Sequence, residues 1–156
     1  MSQYTVCRDT REHQGQGWEF APSKSCAGTE TVKLDTGDYS IKGLETKFVI
    51  ERKASTSEFA ANVFQDRFER ELQRLDQFDH AFLLLEFTHW EVDFFPQGSG
   101  IPTYKHKFLK MTPELFRKRI AEIQVAHPKL NVWFVGSNGK LWASCLFKRM
   151  AEAYLK

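Results

Sequence analysis

A chain of 156 residues carrying fourteen phenylalanines and four tryptophans can bury one real core and is expected to form a single domain, 1–156, with no room for a second full module. Three widely spaced cysteines, Cys7, Cys26 and Cys145, exclude a disulfide framework or cysteine-based zinc site, and no stretch approaches the roughly 18 apolar residues of a membrane span. The net charge of +2 hides a division: residues 1–100 hold 11 Lys/Arg against 17 Asp/Glu, net −6, and residues 101–156 hold 11 against 3, net +8. An intracellular protein, neither secreted nor bound to a membrane, is the expectation. An acidic centre beside a basic flank suits an enzyme that handles a polyanion, although a solvated basic helix face would give the same count.

Residues 4–7 read as a short strand, followed by the charged cluster Asp9-Thr10-Arg11-Glu12. Gly15, Gly17 and Pro22 mark a loop. Residues 31–35 alternate around Val32 and Leu34 as a strand does, Thr36-Gly37 forms a turn, and 47–53 supplies the next strand; these short strands are expected to form a meander. Over 57–76 the apolar residues Ala61, Phe64, Phe68, Leu72 and Leu75 recur at helical steps, predicting one amphipathic helix with Ser57 as its cap. Arg67, Arg70 and Arg74 recur on another side of it. They form either a DNA-binding ridge facing phosphates or, since Asp66, Glu69 and Glu71 lie among them, a salt-bridged solvated face.

Residues 81–87 are almost unbroken apolar, as in a central strand buried on both faces, which requires helices on either side. The stretch 89–110, with Pro96, Gly98, Gly100 and Pro102, reads as a loop or hairpin excursion. Thr112 and Pro113 start a helix that turns Phe116, Ile120 and Ile123 inward, and His127-Pro128 ends it. Residues 130–135 are the last strand, Gly136-Ser137-Asn138-Gly139 turns the chain, and 141–155 closes it as an amphipathic helix.

The chemistry concentrates in Gly37-Asp38-Tyr39 and Glu51-Arg52-Lys53. On a strand, the two-residue period puts Glu51 and Lys53 on one face and Arg52 on the other, so that Asp38, Glu51 and an ammonium can converge. Hard carboxylate oxygens suit Mg2+ or Mn2+, and a nearby lysine can orient water and offset developing negative charge, which is the equipment of phosphodiester hydrolysis. A lone Glu-x-Lys at a strand end is more often a solvated charge pair; Asp38 at its turn and the Asp9–Glu12 cluster shift the balance. The five histidines form no close pair at metal-ligand spacing, and only His13 lies near a motif. Trp18, Trp90, Trp133 and Trp142 could stack on bases, but an apolar setting such as Val132-Trp133-Phe134 favours the core. The glycines at 15, 17, 98 and 100 make no phosphate loop, which excludes a nucleotide cofactor.

In order, Asp9-x-Arg11-Glu12, Gly37-Asp38-Tyr39, Glu51-Arg52-Lys53, the helix around Arg67 and Leu83-Leu84-Leu85-Glu86-Phe87 resemble the XPF-type structure-specific endonucleases of the PD-(D/E)xK superfamily. The resemblance implies an α/β fold, a mixed central β-sheet flanked by helices with a restriction-endonuclease-like core. It implies Asp38 and Glu51 as metal ligands, Asp9 as a further acidic ligand or metal-water contact, and Lys53 as the residue that positions the nucleophile. Arg11, Glu12 and Arg52 would support them, and Arg67 would touch the scissile region or a neighbouring phosphate. Where the family usually has an aspartate four residues past the lysine, this chain has Ser57, with Glu58 next to it as a possible substitute, and Arg8 stands where the family usually has an apolar residue. Neither a helicase nor a helix-hairpin-helix module is recognisable. The implied activity is metal-dependent cleavage of branched or flapped DNA in repair or recombination, alone, as a homodimer or with a protein partner. The alternative is a non-catalytic DNA-binding subunit of the same fold that supports a partner nuclease, and the Ser57 departure is its best argument.

Overall fold

The computed structural model describes residues 3–12 and 17–155; the sequence features His13 and Gly15 lie outside them. Six strands, β1 (Tyr4–Asp9), β2 (Cys26–Val32), β3 (Tyr39–Ile41), β4 (Phe48–Lys53), β5 (His80–Leu85) and β6 (Asn131–Phe134), form one mixed sheet in the order β2-β1-β3-β4-β5-β6. β4, β5 and β6 are parallel neighbours, β3 is antiparallel to both β1 and β4, and β2 lies parallel to β1 at the edge. The short strands are therefore not the expected meander. The second strand also falls earlier, at Cys26–Val32 rather than 31–35, because the parallel register with β1 runs from Tyr4 beside Cys26 to Asp9 beside Val32.

Among the described residues five helices cover the sheet: α1 (Thr56–Asn62), α2 (Asp66–Leu75), α3 (His89–Asp93), α4 (Pro113–Ala126) and α5 (Gly139–Tyr154). On one face α5 lays Ala143, Phe147 and Met150 over Val6, Tyr39, Phe48, Ile50, Phe82 and Leu84. On the other, Phe59 of α1, Phe68 and Leu72 of α2, and Phe116 and Ile123 of α4 cover Val49, Ala81, Leu83 and Leu85. Such a three-layer arrangement satisfies a parallel sheet that is apolar on both sides. The alternation along β4 extends to its polar end. Phe48 and Ile50 join the α5 core with Arg52, while Val49 joins the α1–α2 core with Glu51 and Lys53 following it.

The single helix expected over 57–76 is two. Ser55, not Ser57, caps α1 by accepting the Glu58 N–H at 3.1 Å, and the chain breaks helix over 63–65 before α2 begins. The break buries Val63 and leaves Phe64 outside, where the helical pattern had placed it in the core. Residues 89–110 hold no hairpin: α3 opens the excursion behind a Thr88 capping box, and a 3-10 segment, Thr103–Phe108, follows. Thr112 caps α4 as expected, accepting the Leu115 N–H at 3.1 Å. Trp18 is buried, whereas Trp90 and Trp142 stand exposed. Among the described residues no helix is long and apolar enough to cross a membrane.

One turn fixes the relation between β3 and β4. Gly37 has φ +81°, and a Cβ there would lie 2.1 Å from Cγ2 of Val49 and 3.2 Å from the Ile50 carbonyl oxygen. The next residue, Asp38, donates its N–H to Ile50 C=O and accepts the Asp9 N–H on its own C=O, both at 2.8 Å. Gly37→Ala is expected to cost about 2–4 kcal/mol, from left-handed backbone strain and overpacking together. Urea denaturation would show this as a lower midpoint at an unchanged slope.

Candidate active site

The turn and the strand end open on one cleft of about 490 Å³, whose lining includes Asp38, Glu51, Lys53, Asn62, Arg67 and Glu71. Glu51 and Lys53 are both buried, and Lys53 Nζ lies 3.6 Å from Glu51 Oε1. A second bond holds the ammonium in place: Nζ donates to Asn62 Oδ1 at 3.0 Å, near the end of α1, and the Phe68 ring centroid lies 4.9 Å away. Asp38 turns one oxygen, Oδ2, to the Arg52 N–H at 2.8 Å. The strand end and the turn thus converge on two carboxylates and one lysine, the set whose spacing the sequence displays.

Crowding these carboxylates into a sheltered cleft disfavours their charged forms. Burial pushes the Asp38 carboxyl up to about 7; the Glu12 charge adds to this, and the Arg52 N–H and Lys53 oppose it. Glu51 is raised well above the ordinary carboxylate range, by burial first and the Asp38 charge second, with Lys53 opposing and Glu71 and Glu12 adding. Glu71 is a site carboxylate that sequence reasoning left on a salt-bridged helix face. Its pairing with Arg67 across one helical turn, 3.7 Å, is real, yet the pair faces the cleft. Asn62 was also missed, since nothing in its spacing from Lys53 betrays that a helix end will meet the lysine.

Arg52 and Glu12 also border the cleft, but the Arg52 guanidinium is engaged away from Glu51 and Lys53. It forms an ion pair with Glu86 and a bond of 3.3 Å to Glu12 Oε2, and lies 4.9 Å from the Trp18 ring centroid. Tyr39 donates its hydroxyl hydrogen to Glu12 at 2.7 Å. Asp9 sits outside the cleft lining. It is fully buried, with Oδ1 accepting the Leu34 N–H at 2.8 Å and Oδ2 accepting from the Arg11 backbone at 3.0 Å and side chain at 2.5 Å. Arg11 reaches the cleft from there and also donates to the Leu34 carbonyl. Glu58 lines the cleft, but one of its oxygens accepts the Ala54 N–H at 3.3 Å in the start of α1. Of the three ridge arginines, Arg67 and Arg74 line the cleft and Arg70 does not.

The ERCC4 domain family matches residues 8–139, a span that holds the turn, the strand end and all five helix starts. This chain belongs to the ERCC4 domain family. The family is that of the XPF-type nucleases, and the mixed sheet flanked by helices is the fold it shares with them. Among solved structures, the ERCC4 domain described here is similar to XPF from Aeropyrum pernix, with a TM-score of 0.61 and 18% identity over 97% of this chain and 66% of that one. It is similar also to XPF from Aeropyrum pernix in complex with DNA, with a TM-score of 0.60 and 17% identity over 99% of this chain and 68% of that one. The ERCC4 domain here thus spans about two thirds of the length of those chains. No curated protein matches by sequence.

Among the described residues no three His, Cys, Asp or Glu side chains form a ready metal-binding group. The donor set still fits Mg2+ or Mn2+, since a small hard cation commonly takes one or two carboxylates and fills its remaining positions with water and substrate phosphate. Ionising Asp38 and Glu51 without a cation opposes folding. Their folded pKa values lie above the unfolded carboxylate value near 4, so the folded state holds protons the unfolded state has lost, and stability falls as pH rises from about 4 through 7. In EDTA the melting temperature is expected to fall over that range, and Asp38→Asn to remove part of the fall.

Proposed function

We propose that this chain is a divalent-metal-dependent DNA endonuclease and that Asp38, Glu51 and Lys53 carry its chemistry. The observation that supports the reading is their meeting in one cleft, with both carboxylates raised by burial, Asp38 further by the Glu12 charge and Glu51 further by the Asp38 charge. Such strain serves no purpose in a scaffold and is relieved by a cation. Asp38 and Glu51 would hold Mg2+ or Mn2+, which when bound polarises a phosphoryl oxygen and acidifies water. Lys53, kept in place by Asn62, orients the attacking water and offsets the charge that grows on the phosphoryl oxygens as water adds and the ester oxygen leaves in line. Arg67 and Arg74 on the rim attract the flanking phosphates, while Arg52 braces β4 from behind through Glu12 and Glu86. Asp9 acts at one remove, by bracketing Arg11 and the Leu34 backbone. The substrate is branched or flapped DNA, as the family resemblance and the DNA complex of the Aeropyrum pernix protein suggest, handled as a single chain, a homodimer or with a protein partner.

One observation favours the second reading, a DNA-binding subunit without catalysis. Ser57 stands at the family's usual aspartate, and Glu58, the nearest replacement, bonds the Ala54 backbone.

Cleavage of labelled linear, flapped, forked and four-way DNA in Mg2+, Mn2+ or EDTA separates the two readings. Metal-dependent cutting that falls by about 10²-fold or more in Glu51→Ala and Lys53→Met is expected, the scale of losing one electrostatic partner of a transition state. Binding without cutting in every metal overturns the nuclease reading. Asp9→Ala is expected to lower the melting temperature while leaving the cleavage rate of the folded fraction within about tenfold.

A further inference from the structure

The excursion between β5 and α4 is built to display rings. Phe95 and Met111 are buried in the core beneath α4, and Ile101 and Leu109 pack against it. His106 Nε2 donates to the Ile101 carbonyl at 2.8 Å, which pins the 3-10 segment Thr103–Phe108 to its own base. With both ends anchored, Tyr104 and Phe108 are left 70% and 76% exposed, a costly position for rings of this size with no ligand.

Lysines accompany the rings. In a 3-10 helix residues three apart eclipse, so Tyr104 stands over Lys107 and Lys105 over Phe108. The ammoniums also lie against the neighbouring rings, Lys105 5.8 Å from the Tyr104 centroid and Lys107 5.1 Å from that of Phe108. Among the described residues neither lysine meets a carboxylate. A protein-binding patch is typically depleted of lysine at its core, whereas alternating ring and ammonium match alternating base and phosphate.

The excursion and α4 are tied to the break between α1 and α2. Just beyond the 3-10 segment, Lys110 Nζ sits 4.8 Å from the Phe64 ring centroid, in the break between α1 and α2, two residues after the Asn62 that holds Lys53. Arg119 of α4 donates to the Val63 carbonyl in the same break, at 3.3 Å.

We propose that Thr103–Phe108 is a stacking platform for unpaired nucleotides, with Tyr104 and Phe108 receiving bases and Lys105 and Lys107 their phosphates. This deepens the nuclease reading and rests on it for the substrate. The platform would hold the single-stranded arm of a flap or fork while the cleft engages the scissile phosphate.

The test is fluorescence anisotropy of the whole chain in EDTA with a labelled 20-nucleotide oligothymidine and a duplex of the same length. Tyr104→Ala/Phe108→Ala is expected to weaken oligothymidine binding about tenfold or more and duplex binding much less. Lys105→Ala/Lys107→Ala is expected to reduce the slope of log K against log salt by about 1.4. All four side chains are exposed, so unchanged melting temperatures are expected. Equal losses on single and double strands overturn the proposal, as does no loss on either, or a variant defect confined to phosphatidylserine vesicles or to self-association. Binding is measured without metal, so the two readings fail separately. A chain that never cuts DNA but loses oligothymidine with its rings overturns catalysis alone, and an active nuclease whose single-strand affinity ignores the rings overturns the platform alone.

Discussion

Two carboxylates that repel each other are held together because the backbone leaves them no alternative. Asp38 is bonded through its N–H to β4 and through its C=O to β1, so it cannot swing away without breaking the sheet, and Gly37 is seated against Val49 where no other residue fits. Glu51 is fixed as firmly, one residue beyond Ile50, in a parallel strand buried on both faces. Packing of the two cores on either side of β4 supplies the free energy that this electrostatic opposition consumes.

The sheet separates two kinds of work across a single strand. Toward α1 and α2, β4 presents Glu51 and Lys53 to the cleft; toward α5 it presents Arg52 to Glu12, Glu86, Trp18 and Tyr39. The second network is supplied from four places, the segment after β1, the loop around Trp18, β3 through Tyr39 and the residue after β5, and closes against Gly139 at the start of α5. A Cβ at Gly139 would lie within 3.0 Å of both Trp18 and Glu86. Neighbouring residues thus do different tasks, Glu51 and Lys53 lining the cleft and the Arg52 guanidinium tying distant segments to the same strand.

Much of this was legible in the chain. The period of two along 48–53 correctly separated Glu51 and Lys53 from Arg52, because a strand buried on both faces tolerates no other pattern. The apolar run 81–87 announced a buried strand, which spans His80–Leu85 and lies next to the edge strand β6 rather than at the centre, and Thr112-Pro113 announced the start of α4, since both signals are local. What failed depended on distance. The edge position of β2 follows from parallel pairing with β1, which no turn residue encodes. The apolar steps over 57–76 look continuous although α1 and α2 break at 63–65, because Val63 takes the buried place that periodicity gave to Phe64. Asn62 ends α1 just before that break and Glu71 lies on α2 after it, so the cleft residues that were missed flank the missed break. The resemblance implies Asp9 as a further ligand or metal-water contact, whereas the hydrogen bonds that engage both of its oxygens depend on the folded chain and are not legible in the motif.

The raised carboxylates also bear on how such a domain would change under laboratory selection. Natural proteins sit far from their stability optimum, and stabilising substitutions are easiest to find where function imposes a cost. Here an opposing electrostatic contribution is concentrated in Asp38 and Glu51, which burial and neighbouring carboxylates disfavour as anions. A campaign selecting only for heat tolerance in chelator would therefore converge on neutral residues at these two positions, and would erase the cleft's chemistry while leaving the sheet, both cores and the Arg52 network intact.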